Sequence, residues 1–199
     1  MWDLALQFKK AFPTSLSDEV NFILKNSSVN ESVAGYPVTT FPIVLNDEII
    51  EIPVRHGLQE IEPSFFLSLT ETQQNIIDCF YTRHCDGFKR EQHLKRIIQI
   101  NQAWVVPYVM QLVGEYVIEI LNVIYENMSL LNLEMYKEFI QKNPEFYELT
   151  QARVTSYWNE YYRGYESIDL YHSKHGPSDK FKFMKQDYVG FKILATLSE

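Results

Sequence analysis

The stretch 82–96, TRHCDGFKREQHLKR, holds the densest group of residues whose types could do chemistry. His84, Cys85, Asp86 and His93 could in principle gather around a zinc or iron ion, or around a nucleophile. A metal site needs three or four such side chains that converge on one point, and ligands on one helix share a face when they are four residues apart. His84 and His93 instead lie on opposite sides of an Asp-Gly pair. The spacing therefore favours a turn between two helices over a metal site.

The same residue types suit such a turn. Asp86 can accept hydrogen bonds from the first backbone amides of the second helix, and Gly87 relaxes the backbone there. Arg83 would lie near the end of the first helix, where positive charge is favourable, and could pair with Asp86. We also expect Phe88 to pack between the two helices.

A second pair of histidines, His172 and His175, lies in a turn-rich segment near two aspartates. The pair could ligate a metal ion, although histidines in a surface loop are more often solvated. A metal-dependent enzyme that uses His84 and His93, or His172 and His175, is therefore an alternative function to be weighed against the others.

Other signs of catalysis are weak. The sequence has no G-x-S-x-G motif and no phosphate-binding glycine loop among its seven glycines. Glu115 and Glu119 could act as a pair of catalytic acids, but glycosidases place their two acids on opposite sides of the sugar, normally on different elements. Cys79 lies within a predicted helix, a poor place for thiolate stabilisation. We predict a protein that is not an enzyme and binds no cofactor or metal ion.

Composition and charge indicate the kind of partner. The 199 residues are 46% hydrophobic and 22% charged, as in ordinary globular proteins, and suffice for one domain with a single core. The net charge is −8, so the overall field repels nucleic-acid phosphates and favours a basic protein partner. The apolar stretch 103–124 contains Glu115 and Glu119, which argues against a membrane span. With no secretory leader and two cysteines that fit reduced thiols, we expect a cytoplasmic protein with no membrane or nucleic-acid partner.

The elements that position these residues are predicted to be mostly helical. Residues 2–12 and 17–24 form two short helices around Pro13, with Ser17 as an N-cap. Residues 38–54 carry two β-branched runs that flank Asn46-Asp47, which predicts a β-hairpin. Thr70 and Gln73 form a capping box at the start of the helix before the 82–96 stretch.

The second half of the chain carries the strongest helical pattern. A long helix is predicted to start at Asn101 or Gln102 and to be delayed or kinked by Pro107, with one polar stripe at Gln111, Glu115, Glu119, Asn122 and Glu126. Its opposite side, predicted to be inaccessible to solvent, is formed by Leu112, Tyr116, Ile120 and Ile124. Residues 130–140 form a further helix, and Asn143-Pro144 supplies an N-cap and a first-turn proline for a helix over 145–165. We expect a strand or a short helix near the end of the chain, at YVGFKIL.

Together these patterns predict a mainly α fold: an antiparallel helical bundle or short helical array, with a small β-hairpin near residues 38–54. The chain would form one domain over 1–199. Residues 1–69 would supply the N-terminal helices and the hairpin, residues 70–166 the helical core, and residues 167–199 a C-terminal tail packed on that core.

One segment resembles a known repeat family. Asp86, Lys89, Arg90 and Leu94 are similar to the D-x-x-K/R and following Leu that mark one helix of HEAT-type units, and the partial resemblance covers residues 70–128. It implies a scaffold for protein contacts and brings no catalytic chemistry.

These observations lead to a predicted partner surface. Acids are concentrated in 47–71 and 115–148, and the segment SYWNEYYRGY offers a broad tyrosine face suited to a core or a protein interface rather than to stacking on bases. We expect a non-catalytic interaction protein, in its most concrete form an immunity- or antitoxin-like inhibitor that covers a basic active site. A structural subunit of a larger complex is the other alternative. The predicted partner-binding residues are Glu115, Glu119, Glu126, Tyr157, Tyr161 and Tyr162.

Overall fold

The computed structural model describes residues 4–27, 39–163 and 183–198. Within these ranges the protein consists of ten α-helices and one two-stranded antiparallel sheet, which confirms the predicted mainly helical class with a small β component. His172, His175 and Tyr165 lie outside the described residues. The helices are α1 (Leu4–Lys10), α2 (Ser17–Asn26), α3 (Pro63–Ser68), α4 (Glu71–Tyr81), α5 (Gly87–Ile97), α6 (Val106–Val113), α7 (Ile118–Asn127), α8 (Leu133–Lys142), α9 (Pro144–Tyr157) and α10 (Val189–Ser198).

The first two helices are separated at Pro13, as predicted. A short 3₁₀ turn, Thr14–Leu16, runs directly into α2. Ser17 is therefore not the N-cap: it already has helical backbone angles, and its hydroxyl donates back to the Thr14 carbonyl at 2.7 Å. The prediction was wrong because the 3₁₀ turn supplies the start of the helix that a capping side chain would otherwise provide.

The predicted hairpin is present, with β1 (Thr40–Leu45) paired to β2 (Glu48–Pro53). Asn46 and Asp47 have φ angles of 49° and 64°, the left-handed backbone that both central residues of a type I′ turn require. Asn and Asp adopt this conformation more readily than other residues with side chains, so the turn sequence fixes the register. One face of the hairpin is buried, through Ile43, Leu45, Ile50 and Ile52.

The predicted long helix is wrong. It is two helices, α6 and α7, separated by residues 114–117. Gly114 ends α6 with φ −86° and ψ 34°, outside the helical range. A Cβ at position 114 would lie 3.2 Å from Arg153 Cδ, so glycine leaves room for the close approach of Arg153 at the break. The side chain of the next residue, Glu115, is turned towards buried Arg90.

This break changes which residues are exposed. Leu112, Ile120 and Ile124 are buried as predicted. Gln111 and Glu115, predicted on a wet stripe, are each only 2% exposed, whereas Tyr116, predicted to be buried, is 46% exposed. A continuous helix would have kept residues 115 and 119 on one face, but the break gives α7 its own orientation relative to α6.

The last helices close the core. Pro144 lies in the first turn of α9, as predicted, but Asn143 makes no side-chain cap. The helix α9 ends at Tyr157 and continues as one π-helical turn, Trp158–Tyr162. The helix α10 packs against α7, α8 and α9. Buried apolar side chains from the N-terminal helices, the hairpin and the later helices form one hydrophobic cluster. It extends from Phe8 near the start of the described residues to Leu197 near their end.

Candidate functional site

The stretch that looked most like a chemical site is a turn between α4 and α5. The capping box at the start of α4 is formed by Thr70 and Gln73, and the Asp86 carboxylate accepts a hydrogen bond from the Phe88 amide at 2.9 Å. These two predictions are confirmed. The expected packing of Phe88 is wrong, since its side chain is 84% exposed. The cap sets the first turn of α5 so that Arg90, His93, Leu94 and Ile97 face inwards and position 88 faces solvent.

Arg83 does not pair with Asp86 as expected. Its side chain is 1% exposed and lies in a buried charge cluster, which we define as Arg55, Arg83, Arg90 and Glu115. Arg55 binds the Glu115 carboxylate directly, Arg90 Nη2 lies 3.2 Å from Glu115 Oε2, and Arg83 Nη2 lies 3.8 Å from Glu115 Oε1. One carboxylate thus faces three guanidinium groups.

Backbone carbonyl groups accept further hydrogen bonds from the arginines of the buried charge cluster. Arg83 donates to the carbonyl oxygens of Pro53 and Val54, at the end of the hairpin. Arg90 donates to those of His84 and Cys85, each at 2.9 Å. The cluster therefore joins the hairpin, the α4–α5 turn and the break between α6 and α7.

Burying more positive than negative charge costs free energy. Burial, followed by the neighbouring charge of Arg55, lowers the pKa of Arg83 well below its ordinary value, against the opposing effect of Glu115. Two buried donor atoms, Arg83 Nη1 and Arg90 Nε, have no hydrogen-bond partner among the described residues. Glu115 is the one carboxylate ion-paired with these three arginines in the described chain, so the burial of Arg83 and Arg90 depends on it, while the Arg55 side chain is 33% exposed.

Above this cluster, three tyrosine rings meet at the surface. The ring centroids of Tyr116 and Tyr157 are 5.8 Å apart, those of Tyr116 and Tyr161 are 6.0 Å apart, and those of Tyr157 and Tyr161 are 6.2 Å apart. We call these three residues the tyrosine patch. Tyr162 lies beneath it, and its hydroxyl donates to the carbonyl of Tyr116. Burial, and then the charge of Glu119, raises the pKa of Tyr162.

The six predicted partner-binding residues differ in their exposure to solvent. Glu119 and Tyr161 are exposed, and Tyr157 is half-buried and contacts the other two rings of the patch. Glu126 is exposed further along α7. Glu115 and Tyr162 are buried, which corrects their prediction as contact residues. Sequence reasoning missed Tyr116 because it assumed a continuous helix, although Gly114 was a signal for the break.

The histidines near the α4–α5 turn are bound to the protein itself. His84 Nε2 lies 3.0 Å from the Leu58 carbonyl, and its Nδ1 accepts from the Asp86 amide at 2.9 Å. His56 is bound in the same way, to the Phe80 carbonyl and the Leu58 amide. Because a backbone amide donates to each Nδ1, each Nε2 carries the proton, and both rings are neutral with no free lone pair for a metal ion. Burial lowers the pKa of His56 to about 3.

His93 lies between two carboxylates. Its Nδ1 is 2.6 Å from Asp78 Oδ1 and its Nε2 is 3.1 Å from Glu60 Oε1, an arrangement that suits an imidazolium donating from both nitrogens. Burial raises the pKa of Glu60, but its hydrogen bond with His93 and the charge of Lys89 outweigh this, so that the pKa lies below its ordinary value. The two carboxylates lie at opposite ring nitrogens and do not converge on one point. Among the described residues, no three His, Cys, Asp or Glu side chains are grouped to hold a metal ion.

Glu60 and His93 lie on the polar side of a cleft between α3, α4 and α5, which has a volume of about 440 Å³. Arg96 lies at its rim, donates from Nη1 to Asp78 Oδ1 at 3.0 Å, and stacks over the ring of Phe66. A buried Asp that holds a histidine at Nδ1 is an arrangement found in general bases. Here the other nitrogen is occupied by Glu60, so the residues form an ion-pair network instead of a free base.

No protein-family model, curated protein or solved structure matches this chain. The resemblance of residues 70–128 to HEAT-type units therefore stays a prediction. Of the helices described, none has the length and apolar character needed to cross a membrane.

Proposed function

We propose that this protein is a non-catalytic protein-binding domain whose contact surface is the tyrosine patch. The observation that carries the proposal is the meeting of three tyrosine rings at the surface, where Tyr116 is 46% and Tyr161 is 43% exposed. Tyrosine is enriched at protein interfaces because it offers a large rigid contact area and a polar tip.

Buried contacts hold the tyrosine patch in place, which favours binding. Tyr116 belongs to the break between α6 and α7, and the adjacent Glu115 is held by the buried charge cluster. Tyr162 fixes the Tyr116 carbonyl from the other side. A surface that is already ordered loses little conformational entropy when a partner docks, so more of the contact energy appears as affinity.

Charge supports a basic partner. The protein carries a net charge of −8, and Glu119 and Glu160 are exposed on the elements that form the patch. Arg153, which packs over Gly114, adds one positive group at its edge. A partner with basic residues and a matching acid would therefore complement the surface, and the overall field would accelerate its approach.

The particular version of this proposal is an immunity- or antitoxin-like inhibitor that covers the basic active site of a nucleic-acid-degrading enzyme. A structural subunit of a larger complex would use the same surface in a permanent contact. The enzyme alternative that uses His84 and His93 has less support, since both would have to give up the hydrogen bonds described above before either could act. The alternative that uses His172 and His175 lies outside the described residues.

The test compares matched tyrosine variants. A partner retained by the wild-type protein from native-cell extract is purified, and its binding rates are measured over a range of salt concentrations. Tyr161→Ala should raise the dissociation rate at least tenfold, roughly the effect of losing an interface hot spot. Tyr125→Ala removes an equally exposed tyrosine of α7 that packs against Lys192 instead of the patch, and should change little.

Glu119→Lys should slow association several-fold at low salt, and the difference should shrink as salt screens the charge. The proposal fails if no protein partner is retained, or if Tyr125→Ala and Tyr161→Ala weaken binding equally.

A further inference from the structure

We infer that the cleft between α3, α4 and α5 binds an organic carboxylate with an apolar body, and that Arg96 binds the carboxylate. This site is separate from the tyrosine patch, so the inference does not depend on the proposed function.

The charged groups of the cleft are paired with one another, except for one edge of Arg96. Glu60 is engaged by His93 and by Lys89, and Asp78 is engaged by His93 and by Arg96. Arg96 uses only Nη1 for this bond, and no described residue accepts from its Nε or Nη2. Its side chain is 42% exposed, so these two groups are accessible to a ligand. The unpaired charged edge is a donor, so the ligand group that matches it is an acceptor.

The guanidinium of Arg96 is also held in place. Asp78 is 3% exposed and binds one of its nitrogens, while Arg96 Cζ lies over the Phe66 ring, 5.4 Å from the ring centroid. The outer edge of the guanidinium, formed by Nε and Nη2, therefore points a fork of two N–H groups away from Asp78. A planar carboxylate is the group that matches such a fork with two parallel hydrogen bonds.

The rest of the cleft is apolar. Its walls include Ile61, Pro63, Leu67 and Ile77, and Leu67 is 76% exposed without a ligand. A volume of about 440 Å³ lies in the range of small-molecule sites. A ligand that covered Leu67 would remove an unusually exposed apolar side chain from water. The favoured body is an aromatic or branched aliphatic group joined to the acid by a short linker.

The charge balance favours a single negative charge. Asp78 and Glu60 are neutralised by their partners, but they remain close enough to oppose a dianion such as a phosphate monoester. A monocarboxylate, bound at one guanidinium, fits this balance. The source is either a free organic acid or the C-terminus of a peptide that ends in a large apolar residue.

The test uses 3-phenylpropanoate and its neutral amide as probes, with binding followed by calorimetry and by the NMR signals of the full-length protein. The acid should bind saturably, with one molecule per chain, and should shift the signals of Phe66 and Tyr81. The amide should bind about tenfold or more weakly, the effect of losing a charge-assisted pair of hydrogen bonds. Equal binding of acid and amide, or no saturable binding of the acid, would overturn the inference.

Arg96→Gln should weaken binding of the acid to the level of the amide. Lys95→Gln removes the same charge from the neighbouring residue, whose amine pairs with Glu91, and should leave the affinity unchanged. Equal weakening by both variants would show an effect of net charge alone and would overturn the site. Should Arg96→Gln unfold, Leu67→Ser provides the second test, because its exposed side chain contributes to the cleft wall; unchanged binding of both probes by this variant would also overturn the site.

Peptides that end in Phe distinguish the two sources. Tighter binding of the peptide than of the free acid would indicate a protein C-terminus, and the reverse order would indicate a small organic acid; either order supports the carboxylate site. An amidated peptide that binds as tightly as the free one would contradict it.

Discussion

The side chain of Asn143 takes the place of a neighbouring β-strand for Val44. Its Oδ1 accepts from the Val44 amide at 2.8 Å, and its Nδ2 donates to the Val44 carbonyl at 2.9 Å. The same Nδ2 donates to the Phe139 carbonyl at the end of α8. One asparagine thus fastens the open edge of the hairpin to the connection between α8 and α9, instead of capping α9 as its sequence position suggested.

Asn143→Ala should lower the free energy of unfolding by about 1–3 kcal/mol, because it leaves partly buried backbone groups without partners. Denaturant unfolding gives this value, and hydrogen exchange at the Val44 amide should become faster. Asn132→Ala is the matched control, since Asn132 is exposed, precedes α8 and makes no side-chain cap. An equal loss in both variants would show that the strand-like contact contributes nothing.

Glu115→Gln should be among the most damaging single substitutions. It removes the carboxylate that faces Arg55, Arg83 and Arg90, and leaves buried positive charges uncompensated, at a cost of about 3–5 kcal/mol. The exposed Glu119→Gln on α7 should cost less than about 0.5 kcal/mol. Denaturant unfolding of both variants checks the difference, and similar values would mean that Glu115 is not a structural anion.

His56 should make the fold sensitive to acid. Burial lowers its pKa from 6.5 to about 3, so the unfolded chain takes up the proton before the folded one does. Stability is therefore complete above pH 6.5 and falls as the pH is lowered through the range between these two values, by up to about 1.4 kcal/mol per pH unit. His84, whose pKa is also lowered by burial and by Lys89, acts in the same direction.

His56→Gln removes one titrating group, so the slope of unfolding free energy against pH should become smaller below pH 6.5 even if the variant is less stable overall. Unfolding measured at several pH values for both proteins gives the two slopes. Identical slopes would show that His56 is accessible to protons in the folded state.

The two cysteines should react differently. Cys85 is exposed, whereas Cys79 is fully buried, and burial together with the charge of Asp78 raises its pKa well above the ordinary value. A thiol reagent should modify one thiol rapidly in the folded protein and a second one only after denaturation. Cys85→Ser should abolish the rapid reaction, and a rapid reaction that persists would place Cys79 at the surface.

Local signals in the sequence predicted the elements well. The Asn46-Asp47 turn, the Thr70–Gln73 capping box and the Asp86 cap each depend on residues within a few positions of one another, and all three are present. The mainly helical class followed from the same kind of signal.

Contacts between distant residues were not predictable in this way. The burial of Glu115 depends on arginines that lie 25 and 60 residues away in the chain, and a carboxylate in a helical stripe gives no sign of them. The cleft was missed for the same reason, since His93 meets Asp78 and Glu60 across separations of 15 and 33 residues. A helix break at Gly114 would have predicted that Tyr116 is exposed. The helical spacing of apolar residues on both sides of the glycine instead favoured one continuous helix.

The buried charge cluster also bears on the order of folding. Its arginines come from the end of the hairpin and from both sides of the α4–α5 turn, and its glutamate comes from the break after α6, so it can close only when all three regions have docked. Until then its charges are hydrated and contribute little, so we predict that the cluster forms after the rate-limiting step. Interactions that form this late slow unfolding and hardly affect the refolding rate. In stopped-flow experiments Glu115→Gln should therefore shorten the lifetime of the folded protein while refolding at nearly the wild-type rate.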